Sequence, residues 1–307
     1  MKFRINTKRM GLWLSVVLCA AMLGACSKQE EGSSAATEKP TAASVQPSAD
    51  TSKASVKPTA DSTPSPAASA APTAVPTIPA KPVKDGPLTI QYVGNSCFFM
   101  TFPDGTTIIT DPYPHTYDQQ FGPAPEMDVD AMSISHSHAD HSPGAKQFKG
   151  NPLRLLPALM KEPIQVGGVE VTGFNSKHVA NMGDNEIFIF RYGDLKIVHM
   201  GETDKIESPE ARAAVKDADV VLAYAGGYGA DTIKNAVRFK ELYEMGVKVL
   251  IPQHFSNNPD MIFYGGPTID QVLADVPKGI TIVKQDEFVV TKEMKQQFVQ
   301  LTSMKMD

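Results

Sequence analysis

From residue 88 onward, short runs of alternating apolar and polar residues are separated by turns and by segments with helical periodicity. Alternation over four to eight residues predicts half-buried strands, and apolar residues three or four apart predict helices. We expect strands at 88–93, 96–102, 106–110, 131–135, 153–156, 169–174, 186–192, 195–200, 219–224, 247–251, 280–283 and 287–291. Helices are expected near 142–148, 208–216, 232–244 and 268–275. This order predicts an α/β domain in which a sandwich of two sheets is flanked by helices.

The pattern upstream is different, because residues 27–86 are dominated by Ser, Ala, Thr and Pro and contain no aromatic residue. A segment with so little apolar surface cannot form a core. We therefore predict a disordered tether at 26–86, whose ends would lie roughly 40–45 Å apart as a flexible chain. Residues 87–307 would then form one domain.

The N-terminal segment is basic and then apolar, since four Lys or Arg residues precede the stretch from Gly11 to Leu23. That stretch is short for a membrane span and typical of a secretory signal, which we place at residues 1–25. It ends in Leu23-Gly24-Ala25-Cys26, which resembles a bacterial lipobox. The resemblance implies cleavage before Cys26 and lipidation of that residue. We expect a lipoprotein anchored in the cell membrane with its domain on the extracytoplasmic face, and an uncleaved signal would leave the domain in the same compartment.

Cysteine content limits the disulfides that the chain can form, and net charge limits the molecules that it can bind. With Cys19 in the signal and Cys26 in the anchor, Cys97 remains alone, so no intramolecular disulfide can form. The first 25 residues carry +4 and the tether is balanced, so the net charge of −5 leaves −9 on residues 87–307. An acidic domain without a run of Lys and Arg disfavours nucleic acid. We expect a small-molecule substrate, and membrane contact through the lipid alone.

The most specific feature of the chain is the segment Ser135-His136-Ser137-His138-Ala139-Asp140-His141, which follows a predicted strand. Side chains two apart on a strand share a face, so His136 and His138 can bind one metal ion. The following turn brings Asp140 and His141 to a neighbouring position. The alternative interpretation is a solvated loop that happens to be rich in histidine.

Other candidate ligands also follow predicted strands. His178 comes after the strand at 169–174, and His254 comes after the strand at 247–251. Glu202 lies in a glycine turn after the strand at 195–200. We expect these side chains to meet the histidine cluster at one edge of the fold. His199 lies inside its strand, which predicts a core or supporting histidine and not a ligand.

Over residues 87–291 these motifs resemble the metallo-β-lactamase superfamily of metal-dependent hydrolases. The order of motifs is most similar to the branch that contains the bacterial phosphorylated-ascorbate lactonase, with Asn95 before the Cys97-Phe98-Phe99 strand and Thr110-Asp111-Pro112 at the end of the next. The resemblance implies an αββα sandwich of two mixed sheets. It also implies two metal sites, one held by His136, His138 and His178, and the other by Asp140, His141 and His254.

The chain departs from the family at the bridging ligand. The family usually has Asp in a Gly-Asp-Thr turn, whereas this chain has Gly201-Glu202-Thr203, with Asp204 next. Either carboxylate could bridge the two ions, or neither. We favour Glu202 as the ligand, and we expect Asp204 to start or cap the helix predicted at 207–216.

A ligand set of imidazoles and carboxylates without thiolate predicts two divalent ions, with zinc first and manganese or iron as alternatives. Zinc lowers the pKa of bound water to about 7, which supplies hydroxide at neutral pH. Asp140 is the candidate catalytic residue, because its carboxylate could orient that nucleophile. The expected reaction is hydrolysis of a small ester, lactone, amide or phosphodiester. The alternatives are a secreted metallo-β-lactamase and a non-catalytic, metal-loaded binding or sensory lipoprotein.

Substrate contacts are expected from loops beside the ligands. The longest loop, 112–125, contributes three candidates, Tyr113, His115 and Tyr117. The glycine-rich turn after the strand at 219–224 contributes Tyr228, and the segment after His254 contributes Asn257. The alternative for the long loop is a packed surface loop without substrate contact, and for the glycine-rich turn a tight turn beside the ligands.

Overall fold

A computed structural model describes residues 77–79, 81, 86–144, 146–157, 160–227, 233–256 and 266–304. The predicted signal, Cys26 and the tether up to residue 76 lie outside these ranges. The division of the chain into signal, tether and domain therefore stays a prediction.

The strands in chain order are β1 (Leu88–Gly94), β2 (Cys97–Thr101), β3 (Thr107–Thr110), β4 (Ala131–Ser133), β5 (Leu153–Leu155), β6 (Ile164–Val166), β7 (Val169–Lys177), β8 (Asp184–Tyr192), β9 (Leu195–His199), β10 (Val220–Tyr224), β11 (Val249–Gln253), β12 (Thr281–Gln285), β13 (Glu287–Val290) and β14 (Gln297–Leu301). The α-helices are α1 (Asp118–Phe121), α2 (Pro209–Val215), α3 (Asn235–Glu244) and α4 (Ile269–Ala274). Short 3₁₀ turns lie at His115–Tyr117, Ala139–His141 and Val179–Asn181.

The strands form two mixed sheets, as predicted. One sheet has the order β13-β1-β2-β3-β4-β5, and the other has the order β12-β14-β11-β10-β9-β8-β7-β6. The first is antiparallel from β13 to β3 and parallel from β3 to β5. The second is antiparallel from β6 to β9 and parallel from β9 through β10 and β11 to β14 and β12. Apolar residues of both sheets form one continuous core, which confirms the α/β sandwich.

The helices follow from local sequence signals. Ser208 caps α2, because its hydroxyl accepts a hydrogen bond from the backbone N–H of Ala211, and Pro209 occupies the first helical position. In α3 the buried residues Phe239, Leu242 and Tyr243 are spaced three and four apart, so one face of this helix packs on the core. Both helices connect parallel neighbouring strands of the second sheet. None of the helices among the described residues has the length and hydrophobicity needed to cross a membrane.

Some predicted elements differ from the structure. The helix predicted at 142–148 is wrong, since the described residues of that range form turns. Pro143 and Gly144 lie at its start, and the Gly144 N–H donates to the side chain of Gln147 instead of continuing a helix. Two strands, β6 and β14, were missing from the prediction.

The described residues before β1 also contact the domain. Ile78 pairs with the edge strand β6 through hydrogen bonds of 3.0 Å to the Gln165 carbonyl and from the Gly167 N–H. The amine of Lys81 lies 2.5 Å from the carboxylate of Asp130, just before β4. Strand β7 begins next to Gly167 and runs for nine residues. The contact of Ile78 therefore lies roughly 30 Å from the far end of β7, where His178 follows the strand.

Candidate metal centre

The segment after β4 places four candidate ligands on one side of the fold. Strand β4 ends at Ser133, the chain bends at His136, and His138 precedes the 3₁₀ turn Ala139–His141 with extended backbone angles. This turn directs Asp140 and His141 inward, and both are buried. His136 is also buried, whereas His138 is partly exposed. The ligands predicted from one local motif therefore lie together.

Three other strands bring the remaining candidates to the same edge. His178 directly follows β7, Glu202 lies three residues past β9, and His254 directly follows β11. The turn before Glu202 requires glycine, because Gly201 has a positive φ of 54° and a Cβ there would lie 2.3 Å from the Asn185 side-chain oxygen. All seven predicted metal ligands are thus brought together.

These side chains form two groups that share one carboxylate, with ligand atoms within 4.8 Å of one another in each. The first group is His136, His138, His178 and Glu202. The second group is Asp140, His141, Glu202 and His254.

The two oxygens of Glu202 face different histidines. Oε1 lies 2.7 Å from Nε2 of His141 and 3.0 Å from Nε2 of His254, both in the second group, and 3.6 Å from Nε2 of His136 in the first group. Oε2 lies 3.2 Å from Nε2 of His178, in the first group. This carboxylate therefore lies between the two groups, at the position expected of a bridging ligand.

The donor set fits divalent cations. Within the described part of the chain, the buried atoms Nε2 of His141, Nε2 of His178 and Oε2 of Glu202 have no hydrogen-bond partner. Buried polar atoms without partners are costly, and few occur without a functional reason. Imidazole nitrogens and carboxylate oxygens are the usual ligands of zinc and similar ions. A cation in each group would satisfy these atoms.

The charges of the cluster favour a cation as well. Burial alone would raise the pKa of Glu202, but the charge of His254 and the close contacts with His141 and His178 hold it well below its usual value. The carboxyl of Asp140 also has a lowered pKa, because His141 and His254 outweigh the effect of burial. Burial and the neighbouring His141 lower the pKa of His136 to about 3. The carboxylates are therefore charged, and His136 is neutral and able to donate a lone pair. Neighbouring carboxylates raise the pKa of His141 and raise that of His254 to about 9, so these two rings would have to release a proton to bind an ion.

Several buried polar residues support the ligands, and among Asn185, Asp111 and His199 only His199 was expected from the sequence to have a supporting role. Asn185 accepts a hydrogen bond from the Glu202 N–H at 2.9 Å and donates to the Met200 carbonyl at 3.0 Å. Asp111 accepts a hydrogen bond from His141 Nδ1 at 2.8 Å. His199 is fully buried with Nε2 3.7 Å from Asp111, so it lies behind the ligands, in a supporting position and outside both groups. Asp111 comes directly after β3, and a search for polar residues at strand ends would have found it.

Asp204 is not part of either group. Its carboxylate pairs with the guanidinium of Arg238 and accepts a hydrogen bond from the Ile233 N–H at 3.1 Å. The prediction that Asp204 starts or caps the next helix is wrong, because Ser208 is the cap of α2. The buried Arg238 needs a charged partner, and Asp204 provides it.

The predicted substrate contacts have different outcomes. Tyr113 is fully buried, and its ring packs edge to face on Phe121 at 5.2 Å, so its assignment as a substrate contact is corrected to a core role. His115 is exposed and lies within 3.1 Å of the Asp118 carboxylate and 2.6 Å of Glu126. Tyr117 is half-buried and stacks on Phe121. For His115 and Tyr117 a substrate contact stays a prediction, while Tyr228 and Asn257 lie outside the described residues.

A cavity of about 200 Å³ opens beside His178. It is lined by Lys177, His178, Val179, Ala180, Asn181, Asp204, Lys205, Glu207 and Ile233. Because a ligand of the first group forms part of its wall, the cavity offers room for a small molecule next to the cluster.

Comparison with known proteins agrees with this geometry. Residues 89–254 match the family described as "Beta-lactamase superfamily domain". A UPF0173 metal-dependent hydrolase of Rubrobacter xylanophilus is 24% identical over 210 residues, which cover 57% of this chain and 84% of that protein. The crystal structure of a proposed Zn-dependent hydrolase of the metallo-β-lactamase superfamily from Thermotoga maritima is similar, with a TM-score of 0.51, 22% identity and coverage of 70% of this chain and 98% of that one. The likeness to that structure shows the fold. Because the family match spans more than half of the sequence, this chain belongs to the metallo-β-lactamase superfamily of metal-dependent hydrolases.

Proposed function

We propose that the protein is a dinuclear hydrolase that uses zinc to cleave an ester, lactone, amide or phosphodiester bond in a small molecule. The observation that supports this most strongly is the position of Glu202, whose two carboxylate oxygens face the histidines of two different groups. Two ions bound in these groups would activate water and polarise the oxygen of the bond to be cleaved.

Different residues of the chain would bind the ions, orient the attacking water and contact the substrate. The two groups hold the ions, and Glu202 belongs to both. Asp140 lies at the edge of the second group, with Oδ2 3.4 Å from Nε2 of His141. Its charged carboxylate can accept a hydrogen bond from a water molecule and orient it for attack. The cavity beside His178 would hold the substrate, and its lining, which includes Lys177, Lys205, Asp204 and Glu207, would suit a polar molecule.

Within the superfamily, we propose that the protein belongs to the branch that contains the phosphorylated-ascorbate lactonase. The support is the carboxylate of Glu202 in the turn after β9. One β-lactamase subclass has a pair of residues matching Asp140 and His141, but it lacks a carboxylate in this turn. Turnover of nitrocefin is the discriminating assay. Appreciable rates with nitrocefin would favour the secreted β-lactamase instead.

The decisive experiment combines metal analysis and a hydrolysis screen on the full-length protein, purified in detergent. We expect two zinc ions per chain and turnover of at least one ester, lactone, amide or phosphodiester. His138→Ala and Asp140→Ala should each lose metal and activity. His115→Ala is the matched control for metal content, because this histidine is exposed and lies outside both groups, so its removal should leave the bound zinc unchanged. Hydrolysis that persists in both cluster variants would reject the enzyme proposal, and metal without hydrolysis would favour a binding or sensory protein.

We further propose that lipid on Cys26 anchors the protein to the extracytoplasmic face of the cell membrane. The support is the sequence Leu23-Gly24-Ala25-Cys26 at the end of the apolar segment. Two or more acyl chains give stable anchoring where one is marginal.

Labelling with a radioactive fatty acid tests the anchor. Wild-type protein should incorporate the label and sediment with membranes, and Cys26→Ala should do neither. Cys19→Ala is the control, because this cysteine lies within the predicted signal and should not affect labelling. Equal labelling of wild type and Cys26→Ala would reject the anchor and leave the hydrolase proposal intact.

A further inference from the structure

Two successive residues beside the metal centre have left-handed backbone angles. Ala180 has a φ of 55° and a ψ of 24°, and Asn181 has a φ of 55°. Positive φ is uncommon outside glycine, and Asn, Asp and His are the types that tolerate it best. Besides Ala180, the described residues of this kind are Asn95, Asp111, Asn151, Asn181, Asp217 and His254. Within the described part of the chain, Ala180 is therefore the one such residue without a polar side chain.

Packing in the core does not explain the backbone of this turn. Ala180 and Asn181 are both exposed, so neither side chain fills a buried space. Glycine adopts left-handed angles freely, and the chain has glycine at other turns of this kind, such as Gly193. A strained backbone persists only where its surroundings hold it, and such positions cluster at ligand sites. The strain at Ala180 therefore points to a functional reason.

Backbone hydrogen bonds hold the turn at both ends. The His178 N–H donates to the Gly183 carbonyl at 3.1 Å, across the turn. The Met182 N–H donates to the Val179 carbonyl at 3.3 Å. The Val179 N–H donates to the Glu202 carbonyl at 3.0 Å. The turn is thus fixed to a histidine of the first group and to the residue that both groups share.

This turn is part of the wall of the cavity beside the cluster. Val179, Ala180 and Asn181 all line the cavity, whose volume is about 200 Å³. A molecule bound there would contact the turn and lie next to His178, a ligand of the first group. The strained backbone therefore lies where a substrate of the proposed hydrolase would bind.

The charged residues of the cavity lining cancel one another. Two lysines and two acids line the cavity, and each has a partner of opposite charge. The pairs are Lys177 with Asp184 at 2.5 Å, Lys205 with Glu207 at 3.8 Å, and Asp204 with Arg238. A charged group that entered the cavity would have to displace one of these partners or stay unpaired, which is costly. The lining therefore favours an uncharged ligand.

Asn181 supplies an uncharged polar group to this lining. Its side-chain amide can both donate and accept hydrogen bonds, as a hydroxyl or amide group of a ligand requires. Because the backbone of the turn is already fixed, less conformational entropy is lost when a ligand binds. The strain at Ala180 would then be the cost of a binding element that is formed before the ligand arrives.

We propose that the turn Val179–Asn181 is a preorganised substrate-binding element, and that Asn181 recognises an uncharged, hydrogen-bonding part of the substrate, such as a hydroxyl or amide group. This inference rests on the proposed hydrolase function and names the class of molecule that the same site takes. Asn181 is in this proposal a residue that determines specificity, while the ions and Asp140 act on the bond to be cleaved.

Three aryl acetates test the substrate class, because they share one ester bond and differ in the charge of one substituent. The uncharged ester is para-(hydroxymethyl)phenyl acetate, the anion is para-acetoxybenzoate, and the cation is para-acetoxyphenyltrimethylammonium. Each rate is divided by the rate with hydroxide in solution, which corrects for the leaving group. With the zinc-loaded full-length protein, kcat/KM for the uncharged ester should exceed that for either ion by about 10-fold. A preference for the anion or the cation would overturn the proposed class.

Asn181→Gly tests recognition by the amide, because glycine removes the side chain and keeps the left-handed backbone. We expect KM for the uncharged ester to rise about 5- to 10-fold, with kcat and zinc content at the wild-type values. The matched control is Asn151→Gly, at an exposed asparagine that has a φ of 54° and does not line the cavity. Equal KM values in the two variants would overturn the role of Asn181.

Ala180→Gly separates preorganisation from a purely structural role. Glycine relieves the strain, so the urea midpoint of unfolding should rise. The freer turn should bind the uncharged ester more weakly, so KM should rise while kcat stays constant. A higher midpoint with an unchanged KM would mean that the turn is structural only. A midpoint that does not rise would mean that the backbone of Ala180 stores no strain, and would also reject preorganisation.

The outcomes distinguish failure of this inference from failure of the proposed function. A wild type that hydrolyses no compound of the screen, with or without bound zinc, would reject both. A wild type that binds zinc and hydrolyses other compounds of the screen, but none of the three acetates, would reject the substrate class alone. Equal corrected rates with the three acetates would do the same, and would leave the hydrolase proposal intact.

Discussion

The side-chain amide of Asn95 donates a hydrogen bond of 3.1 Å to the backbone carbonyl of Asp140 and lies 3.4 Å from its carboxylate. The carbonyl of Asn95 in turn accepts a hydrogen bond of 2.8 Å from the His254 N–H. Asp140 follows a strand of the first sheet, and His254 follows a strand of the second. One residue in the β1–β2 turn therefore links two ligands of the second group across the sandwich.

Replacing Asn95 should weaken the second ion site with little change in stability. Asn95 has a left-handed φ of 52°, which glycine adopts freely, so Asn95→Gly removes the amide and keeps the turn. We expect one of two zinc ions to bind about 10-fold more weakly, as measured by chelator competition. The matched control is Asn151→Gly, an exposed asparagine with a φ of 54°. Equal affinities in the two variants would show that the link does not support the ion.

The shared position of Glu202 leads to a prediction about stoichiometry. Glu202→Gln keeps the size of the side chain and removes its charge. Because a neutral amide oxygen is a weaker ligand than a carboxylate, bound zinc should fall from two ions per chain to at most one, measured by elemental analysis after dialysis. Glu207→Gln, at an exposed acid five residues on, should keep both ions. Two tightly bound ions in Glu202→Gln would mean that the carboxylate is not needed to hold either.

The features that were predicted correctly are determined by residues that lie close together in the chain. Strands with alternating apolar residues were found within a few positions, and all four ligands of the segment His136 to His141 come from one motif. Their meeting with His178 and His254 was predictable because each follows a strand.

Features that depend on distant partners had no such signal. Nothing near Asp204 in the chain reveals Arg238, which lies 34 positions later, and the assignment of Asp204 to a helix cap was therefore wrong. Tyr113 was assigned to the substrate because it lies in a long loop. That loop contributes Tyr113 and Phe121 to a second, smaller core, which they form with strand residues such as Cys97, Ile109 and Met132, and only tertiary packing determines this.

The pair of Asp204 and Arg238 should matter for stability and not for metal. Arg238 is buried, donates to the Tyr224 carbonyl at 3.1 Å, and stacks 5.0 Å above the Tyr224 ring. Asp204→Ala would leave the positive charge of Arg238 unpaired, which lowers the free energy of unfolding by about 3–5 kcal/mol. Urea unfolding should show this loss while zinc content stays at the wild-type value.

An ion pair on the surface serves as the control for this loss of stability. Arg212 and Glu241 form an ion pair with both side chains more than one third exposed, so Glu241→Ala should cost less than about 1 kcal/mol. If Asp204→Ala loses zinc and keeps its stability, Asp204 binds the metal and does not serve to neutralise Arg238.

Glu186 predicts how stability depends on pH. Its carboxyl lies against Gly173, where a Cβ would come within 2.1 Å of Oε1, and burial raises its pKa from 4.5 to about 7. Between these values the folded chain holds a proton that the unfolded chain has lost, so raising the pH favours unfolding. The contribution of Glu186 to stability should therefore fall from pH 4.5 to pH 7 and stay constant above that.

Glu186→Gln removes this dependence. The variant should be more stable than the wild type by about 1–2 kcal/mol at pH 7.5 and equal to it at pH 4. Urea unfolding with EDTA present measures the difference without a contribution from metal binding. Glu170→Gln, at an exposed acid on β7, should show no pH-dependent gain. A gain that is the same at pH 4 and pH 7.5 would mean that packing, and not the buried charge, accounts for the effect of Glu186.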